Sequence, residues 1–204
     1  MADLYDSTFW DDFYGDAPAH WSGKPNPHLV SDAASLTPGT ALDVGSGEGG
    51  DAIWLAERGW QVTAVDISQV ALGRARTAAG NQARRITFEQ HDVLEWTPAP
   101  DGFDLVSAQY LHFPTPQMHV LVQRLAAAVR PGGILLIVGH SIIDRRPFPT
   151  EFFYTGDELA ALLPDGWEIV SSIDREHPDR DGLDAVLTAH RTRDRMRRSR
   201  GRIL

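Results

Sequence analysis

The sequence has 204 residues, of which 42% are hydrophobic and 23% are charged, and its net charge at pH 7 is −9. This length most simply gives one domain with a sizeable core. No run approaches the ~18 apolar residues of a membrane helix, and the absence of cysteine excludes disulfides and thiolate metal sites. We therefore expect a cytoplasmic protein without a membrane segment.

An amino-terminal arm, residues 1–25, precedes the domain predicted over residues 26–190. The arm carries Trp10, Tyr14 and Trp21 among many acids, and it lacks the basic start and apolar stretch of a secretory signal. Exposure of large aromatic side chains to water is unfavourable in free energy, so these residues either pack the arm against the core or cover a site. We expect the arm to be a lid.

The domain begins with a helix, and short apolar runs then alternate with helical patterns, which is typical of a parallel sheet covered by helices. Ser68 is the type of residue that caps a helix start, and Pro131-Gly132-Gly133 predicts a turn before the fifth strand. The predicted strands are Thr40–Val44, Gln61–Val65, Arg85–Gln90, Phe103–Ala108 and Ile134–Val138. The predicted helices are Pro27–Leu36, Gly49–Arg58, Gln69–Ala79 and Gln117–Val129.

The last third of the chain changes pattern. A helix is predicted from Thr155 to about Leu163, followed by two alternating strands, Trp167–Ile173 and Leu183–Ala189. The polar loop between the strands, 174–182, suits an antiparallel return. Residues 191–204 form a basic tail with seven arginines and one acid. We expect the tail to be solvated. Contact of the tail with RNA, with an acidic partner or with its own domain is the alternative, while the negative charge of the rest of the chain disfavours nucleic-acid binding.

A glycine-rich loop follows the first strand, with Gly45, Gly47 and Gly50 in the spacing GxGxxG. Such a loop places backbone N–H groups at a helix start and can hold the pyrophosphate of a nicotinamide dinucleotide. Asp43, two residues before the first glycine, would put a negative charge beside that pyrophosphate. S-adenosylmethionine instead carries a sulfonium and an ammonium group, so Asp43 favours S-adenosylmethionine.

Two more acids follow neighbouring strands at the edge where the ligand would lie. Asp66 ends the second strand, where it could accept hydrogen bonds from both ribose hydroxyls, as it could for NAD. Asp92 follows the third strand, where it could accept from the adenine amino group. Together with Asp43, these acids form a more specific signal than the glycine spacing alone.

These motifs resemble those of class I S-adenosylmethionine-dependent methyltransferases, from LDVGSGEGG through VTAVDIS, EQHDVLEW and FDLVSAQYLHF to VRPGGILLIVGH. The resemblance implies an α/β fold with a doubly wound, mostly parallel seven-stranded sheet in the order 3-2-1-4-5-7-6, its last strand antiparallel. Residues 21–26, WSGKPN, are similar to the tellurite-resistance and thiopurine methyltransferase branch, whose arm folds over the cofactor. The cofactor residues that the resemblance implies are Trp21, Asp43, Gly45, Ser46, Gly47, Asp66, Ile67, Asp92, Val93 and Gln109.

Methyl transfer is an in-line displacement, so the protein supplies alignment, a dry pocket and, for weak nucleophiles, a base. Candidates for these roles follow the fourth and fifth strands, and they are Gln109, Tyr110, His112 and His140. His112 is the preferred base, since a neutral imidazole exists near physiological pH. Equally open are a helix-capping role for His112, a strand-end role for His140 and transfer without any base.

The sequence thus predicts methyl transfer from S-adenosylmethionine to a sulfur, oxygen, nitrogen or chalcogen atom of a small molecule, with S-adenosylhomocysteine as product. No metal site is expected, because the eight histidines are scattered without ligand spacing. A non-catalytic S-adenosylmethionine-binding protein and an NAD-dependent oxidoreductase are the alternatives. The oligomeric state is left open.

Overall fold

The computed structural model describes residues 6–143 and 150–193. Helices α1 to α6 and strands β1 to β7 lie in these ranges, with two short 3-10 turns at Gly80–Arg85 and Thr150–Phe152. The helices are α1 Ser7–Gly15, α2 Pro27–Ala33, α3 Gly50–Glu57, α4 Gln69–Ala79, α5 Thr115–Ala128 and α6 Gly156–Ala160. The strands are β1 Thr40–Val44, β2 Gln61–Asp66, β3 Ile86–Gln90, β4 Phe103–Gln109, β5 Val129–His140, β6 Trp167–Glu176 and β7 Leu183–Arg191.

The strands form one seven-stranded sheet in the order β3-β2-β1-β4-β5-β7-β6. Strands β1 to β5 are parallel, whereas β7 runs antiparallel to both of its neighbours, β5 and β6. This confirms the predicted fold and strand order. Because strand order reverses between β1 and β4, a crevice opens at the carboxyl ends of these strands, where such sheets bind their ligands.

The core lies on both faces of the sheet. One apolar cluster includes Met118 of α5 and Leu159 of α6, and the other includes Leu29 of α2 and Trp54 of α3. Residues 41–44 of β1 are all buried, as expected for a central parallel strand covered on both faces. Strand β1 is therefore packed on both faces up to the point where it passes into the glycine loop.

Several predicted boundaries differ from the structure. The turn predicted at Pro131–Gly133 lies inside β5. Val129 pairs with Phe103 and Ile134 pairs with Leu105, so β5 has more residues between these pairs than β4, and the register shifts there. Helix α6 ends at Ala160, followed by single turns to Leu163, although its predicted start is confirmed by a capping box between Thr155 and Glu158. Strand β6 runs on to Glu176, so its loop to β7 covers only residues 177–182.

The two ends of the chain bear on the predicted arm and tail. Residues 7–15 of the arm form α1, a helix that the sequence analysis does not predict. Arg191, the first residue of the predicted tail, lies in β7 and pairs with Asp101 at 2.5 Å. Residues 194–204 lie outside the described residues. Within the described ranges, no helix has the length and apolar character needed to cross a membrane.

Candidate functional site

The glycine loop joins β1 to α3 and has a backbone that only glycine adopts without strain. Gly45, Gly47 and Gly49 have φ angles of 70°, 52° and 84°. A Cβ on Gly50 would lie 2.6 Å from the carbonyl oxygen of Lys24, so the chain entering the domain passes directly over the helix start. The loop is thus fixed between the sheet and the segment that follows the arm.

Asp66 connects this loop to the start of α4. Its Oδ2 accepts from the backbone N–H of Gly47 at 2.8 Å, and its Oδ1 accepts from that of Ser68 at 2.9 Å. Burial raises the pKa of Asp66, and these backbone hydrogen bonds oppose that rise. Each carboxylate oxygen keeps a second lone pair, so Asp66 can still accept from a ligand's hydroxyl groups.

Three polar atoms around the loop are buried and have no hydrogen-bond partner in the described part of the chain. They are Asp43 Oδ2, Ser46 Oγ and Gln109 Oε1. The Gln109 amide is held in place by its own Nε2, which donates to Ser107 Oγ at 2.8 Å. Native proteins rarely bury such atoms unpaired, so their position marks a place for a ligand with N–H or O–H donors.

A second carboxyl group stands beside Asp43. Asp51, in the first turn of α3, accepts from the backbone N–H of Asn26 at 2.5 Å. Burial raises the pKa of Asp51 to about 6 and, with the nearby charges of Asp51 and Asp66, raises the pKa of Asp43 well above its usual range. Two neighbouring carboxyl groups whose pKa values are both raised favour a cation beside them.

Farther along the sheet edge are Asp92, predicted to accept from the adenine amino group, and the predicted cofactor residues Ile67 and Val93. Asp92 is exposed and accepts from the backbone N–H of Leu94 at 2.9 Å, whereas Val93 is buried in the core. The carbonyl of Ile67 accepts from Gln90 Nε2 at 3.0 Å. The structure therefore brings Ile67, Asp92 and Val93 to the carboxyl ends of β2 and β3, beside Asp66.

The arm is docked on the glycine loop. Glu48 of that loop accepts from the backbone N–H groups of His20 and Trp21 at 3.1 and 3.0 Å, and from Arg74 of α4 at 2.8 Å. Arg74 also donates to the carbonyl of Ala17. We call these five residues the arm latch. The sequence reading missed Glu48 and Arg74, because each is an ordinary surface residue of its own element.

The aromatic residues of the arm lie directly over the loop. Trp21 Nε1 donates to Tyr14 Oη at 3.1 Å, and a Cβ on Gly47 would be 3.0 Å from that oxygen. Tyr14 is buried, which raises its pKa to about 12, whereas Trp21 remains 57% exposed. Asp11 of α1 accepts from Ser68 Oγ at 2.6 Å and so fastens α1 to the start of α4. Whether the arm moves with ligand stays a prediction.

The residues after β4 and β5 form a row of rings. The Tyr110 and His140 rings lie 4.7 Å apart between centroids, and the His140 and His112 rings stack at 5.2 Å. Tyr110 has a φ of 53°, which is strained for a bulky residue. The next residue, Leu111, approaches to 3.2 Å from a Cβ placed on Gly45. The candidates after β4 and β5 are therefore brought together beside the glycine loop.

The hydrogen-bond partners of His112 and Tyr110 determine where the hydrogens of these two side chains lie. His112 Nδ1 lies 3.0 Å from the carbonyl oxygen of Phe152, which can only accept, so Nδ1 carries the hydrogen and neutral His112 has its lone pair on Nε2. Burial raises the pKa of Tyr110 above its usual range, and its hydroxyl donates to Asp184 Oδ2 at 2.7 Å. Tyr110 is therefore a neutral phenol and His112 a possible proton acceptor.

Asp184, at the start of β7, is the residue that sequence reasoning missed most completely. Its side chain is fully buried, and besides Tyr110 it contacts His28 Nε2 at 3.1 Å and Arg180 Nη2 at 2.5 Å. Burial alone would raise its pKa, but hydrogen bonds from His140, His28 and Tyr110 and the charge of Arg180 hold that pKa well below its usual range. The only sequence signal was one acid inside an apolar strand.

Comparison with known proteins identifies the kind of enzyme that has this site. The family described as Methyltransferase domain matches residues 41–133. "Probable thiol methyltransferase 2" of Arabidopsis thaliana is 29% identical over 82% of this chain and 76% of its own length. "Thiocyanate methyltransferase 1" of Brassica oleracea is 30% identical over 79% and 74%. "Ubiquinone biosynthesis O-methyltransferase" of Aeromonas salmonicida is 29% identical over 77% and 66%.

Among solved structures, one comes from a study of the conversion of a disulfide bond into a thioacetal group during echinomycin biosynthesis. It superimposes with a TM-score of 0.71 at 26% identity, covering 92% of this chain and 93% of its own. The match therefore extends over nearly the whole chain.

Proposed function

We propose that this chain, which belongs to the class I S-adenosylmethionine-dependent methyltransferases, methylates the sulfur atom of a small thiol. Family membership removes the basis for the nicotinamide alternative. Relatives named for thiol and thiocyanate methylation support sulfur as the acceptor atom, as does the 26% identical protein from the thioacetal study. A thiolate is an intrinsically strong nucleophile, so alignment supplies most of the catalysis it needs.

The cofactor fits the residues present. When bound, S-adenosylmethionine supplies an electrophilic methyl group on a sulfonium sulfur. The buried, unsatisfied oxygens of Asp43, Ser46 and Gln109 support the methionine end of the site, where an ammonium group would donate to them. Asp66 would accept from the ribose, with Ile67, Asp92 and Val93 around the adenine. Gly45 and Gly47 give the loop backbone its positive φ angles, and Trp21 would cover the ligand.

The acceptor side needs a group that can take the thiol proton. We assign this role to His112 Nε2, since the contact between Nδ1 and Phe152 leaves the lone pair there. We assign His140 to the Asp184 cluster instead, because its Nδ1 lies 3.3 Å from Arg180 Nη2 and 3.5 Å from Asp184 Oδ1. Tyr110 stays a phenol and orients the acceptor as a hydrogen-bonding group.

A matched acceptor panel tests the sulfur assignment. Benzenethiol, phenol and aniline share one ring and differ in the reacting atom, and release of S-adenosylhomocysteine measures transfer to each. We expect kcat/KM for the thiol to exceed that for the phenol by about a hundredfold, since thiols are far more ionised near neutral pH. A phenol that reacts faster than the thiol would contradict the proposal.

Release of S-adenosylhomocysteine with a thiol whose pKa is about 8.5, in place of the more acidic benzenethiol, checks His112. His112→Gln should lower thiol methylation at pH 7 by about tenfold or more, as expected for loss of a general base. At pH 9, where most of the thiol is ionised without help, the variant should approach the unsubstituted enzyme. A deficit of equal size at both pH values would assign His112 a structural role instead.

Cofactor binding should depend on pH through the Asp43 and Asp51 pair. Their pKa values are raised, Asp51 to about 6, so the ligand-free pair holds protons that a bound cation displaces. Affinity should therefore rise with pH through the region around 6 and above, by up to about tenfold per unit for one proton released. Calorimetry in two buffers of different ionisation enthalpy counts that proton, and Asp51→Asn should reduce the release.

The Asp43 and Asp51 pair should make the stability of the ligand-free protein fall as pH rises, whereas cofactor affinity rises. Because the folded-state pKa of Asp51 is raised, its contribution to stability is full below the usual aspartate range and is lost as pH rises through about 6. The melting temperature without ligand should therefore fall over this window, while affinity rises. Affinity that is flat or falls with pH would disprove the linkage.

A further inference from the structure

One buried carboxylate joins four separate elements on the acceptor side of the site. Asp184 of β7 contacts His28 of α2, Tyr110 after β4, His140 at the end of β5, and Arg180 of the loop 177–182. A carboxylate this deeply buried is tolerated only with close partners. Asp184 therefore fixes Arg180 in one position, although Arg180 belongs to a loop.

Arg180 is held by one end of its guanidinium group. Its Nη2 makes the contacts with Asp184 Oδ1 at 2.5 Å, Tyr110 Oη at 3.3 Å and His140 Nδ1 at 3.3 Å. Its Nη1 lies 3.4 Å from the carbonyl of Asp181. A guanidinium has five N–H donors, and 28% of this side chain is exposed to solvent. Donors thus remain on the side that faces away from Asp184.

The position of Arg180 relates it to the reacting groups. The guanidinium lies 5.7 Å from the centre of the Tyr110 ring, and Tyr110 directly precedes Leu111, which packs against the glycine loop at Gly45. On the other side, His140 stacks between Tyr110 and His112. A molecule bound to Arg180 would therefore lie beside the row of rings that carries the proposed proton acceptor.

We propose that Arg180 binds a carboxylate group of the acceptor, so that the substrate is a small mercaptocarboxylate whose sulfur is turned toward His112. The fork of guanidinium donors matches a carboxylate and fixes its direction. Asp184 positions Arg180 from behind, and Tyr110 links the pair by donating to Asp184 and accepting from Arg180 Nη2. This inference rests on the proposed sulfur methylation for the identity of the reacting atom, but not for the carboxylate site.

A binding experiment tests the carboxylate site without turnover. The full-length protein saturated with S-adenosylhomocysteine is titrated in a calorimeter with 3-(methylthio)propanoate, the product form of the acceptor, or with the uncharged 3-(methylthio)propan-1-ol. We expect the carboxylate to bind about tenfold or more tightly than the alcohol, as for one charge-assisted contact. Equal affinities in the unsubstituted protein would overturn the proposal.

Variants then assign the preference to one side chain. Arg180→Gln should abolish the tighter binding of the carboxylate than of the alcohol. Arg180→Lys should keep part of this preference, because it retains a cation beside Asp184. Arg130→Gln is the matched control, because Arg130 pairs with Asp104 at 2.9 Å near the amino end of β4, at the edge of the sheet opposite the acceptor side. Melting temperatures show whether Arg180→Gln folds, and Arg180→Lys decides the matter if it does not. An unchanged preference in a folded Arg180 variant would refute the assignment.

Kinetics with 3-mercaptopropanoate and 3-mercaptopropan-1-ol separate the two proposals. Arg180→Gln should raise KM for the mercaptocarboxylate about tenfold with little change for the alcohol, as for loss of a substrate contact. If neither thiol is methylated while the thioether acid still binds through Arg180, the carboxylate site stands and the sulfur assignment fails. If both thiols react equally well in the unsubstituted enzyme, the carboxylate site fails and sulfur methylation stands.

Discussion

Asp66→Asn should weaken S-adenosylhomocysteine binding by about a hundredfold, which is the effect of losing two charge-assisted hydrogen bonds of about 1.5–3 kcal/mol each, reduced by partial compensation. The amide has nearly the shape of the carboxylate but cannot accept through its nitrogen. Direct calorimetric titration of the folded variant measures the loss. The same substitution leaves one oxygen for the Gly47 or Ser68 backbone, so the loop should keep most of its conformation.

Two controls separate ligand contact from loop damage. Asp165→Asn changes an exposed aspartate in the turn before β6 and should leave both affinity and melting temperature unchanged. For Asp66→Asn, the melting temperature without ligand should shift by only a few degrees, while the stabilisation given by S-adenosylhomocysteine should be largely lost. An unchanged dissociation constant would mean that the ribose binds elsewhere.

The parts of the fold that the sequence predicts well are those controlled by local patterns. Strand β1 occupies Thr40–Val44 as predicted, and α4 occupies Gln69–Ala79 behind its Ser68 cap. The glycine loop follows from local chemistry too, since its positive φ angles demand glycine at Gly45 and Gly47. Residues at strand ends, such as Asp66, then come together through the topology of a parallel sheet.

The contacts that the sequence does not reveal join distant segments. His28 and Asp184 are 156 positions apart and meet only because β7 returns antiparallel and starts at the carboxyl end of β5. No periodicity within β7 marks Asp184 as the partner of Tyr110. Helix α1 does have a local sequence signal, since Asp6 is a capping residue and accepts from the backbone N–H of Phe9 at 2.8 Å.

The arm offers the largest effect on turnover. Deleting residues 2–20 should abolish methyl transfer, because it removes Tyr14 from the glycine loop and the carbonyl of Ala17 from Arg74, and so opens the site to water. The rest of the sheet and its two apolar clusters lie outside the deleted segment, so the truncated protein should still fold. Circular dichroism tests whether the truncated protein folds, and the rate of S-adenosylhomocysteine release tests whether it still transfers methyl groups.

A single substitution in the arm latch shows whether docking itself is what turnover needs. Glu48→Gln keeps the size of the side chain but weakens acceptance from His20, Trp21 and Arg74, so hydrogen exchange in residues 6–25 should become at least about tenfold faster, as for loss of about 1.5 kcal/mol. Glu57→Gln, an exposed change at the end of α3, should leave exchange unaltered.

Acid should open the arm in the same way. Although burial acts to raise it, the pKa of Glu48 is lowered by hydrogen bonds from Arg74 and the backbone of Trp21 and His20. A carboxylate with a depressed pKa stabilises docking above its unfolded value and loses that effect as pH falls through the folded one. The protection factor of residues 6–25, which corrects for the slower intrinsic exchange in acid, should therefore fall as pH falls in the unsubstituted protein and change little in Glu48→Gln. If deletion of residues 2–20 unfolds the domain instead, the aromatic residues of the arm belong to the core and the lid interpretation is wrong.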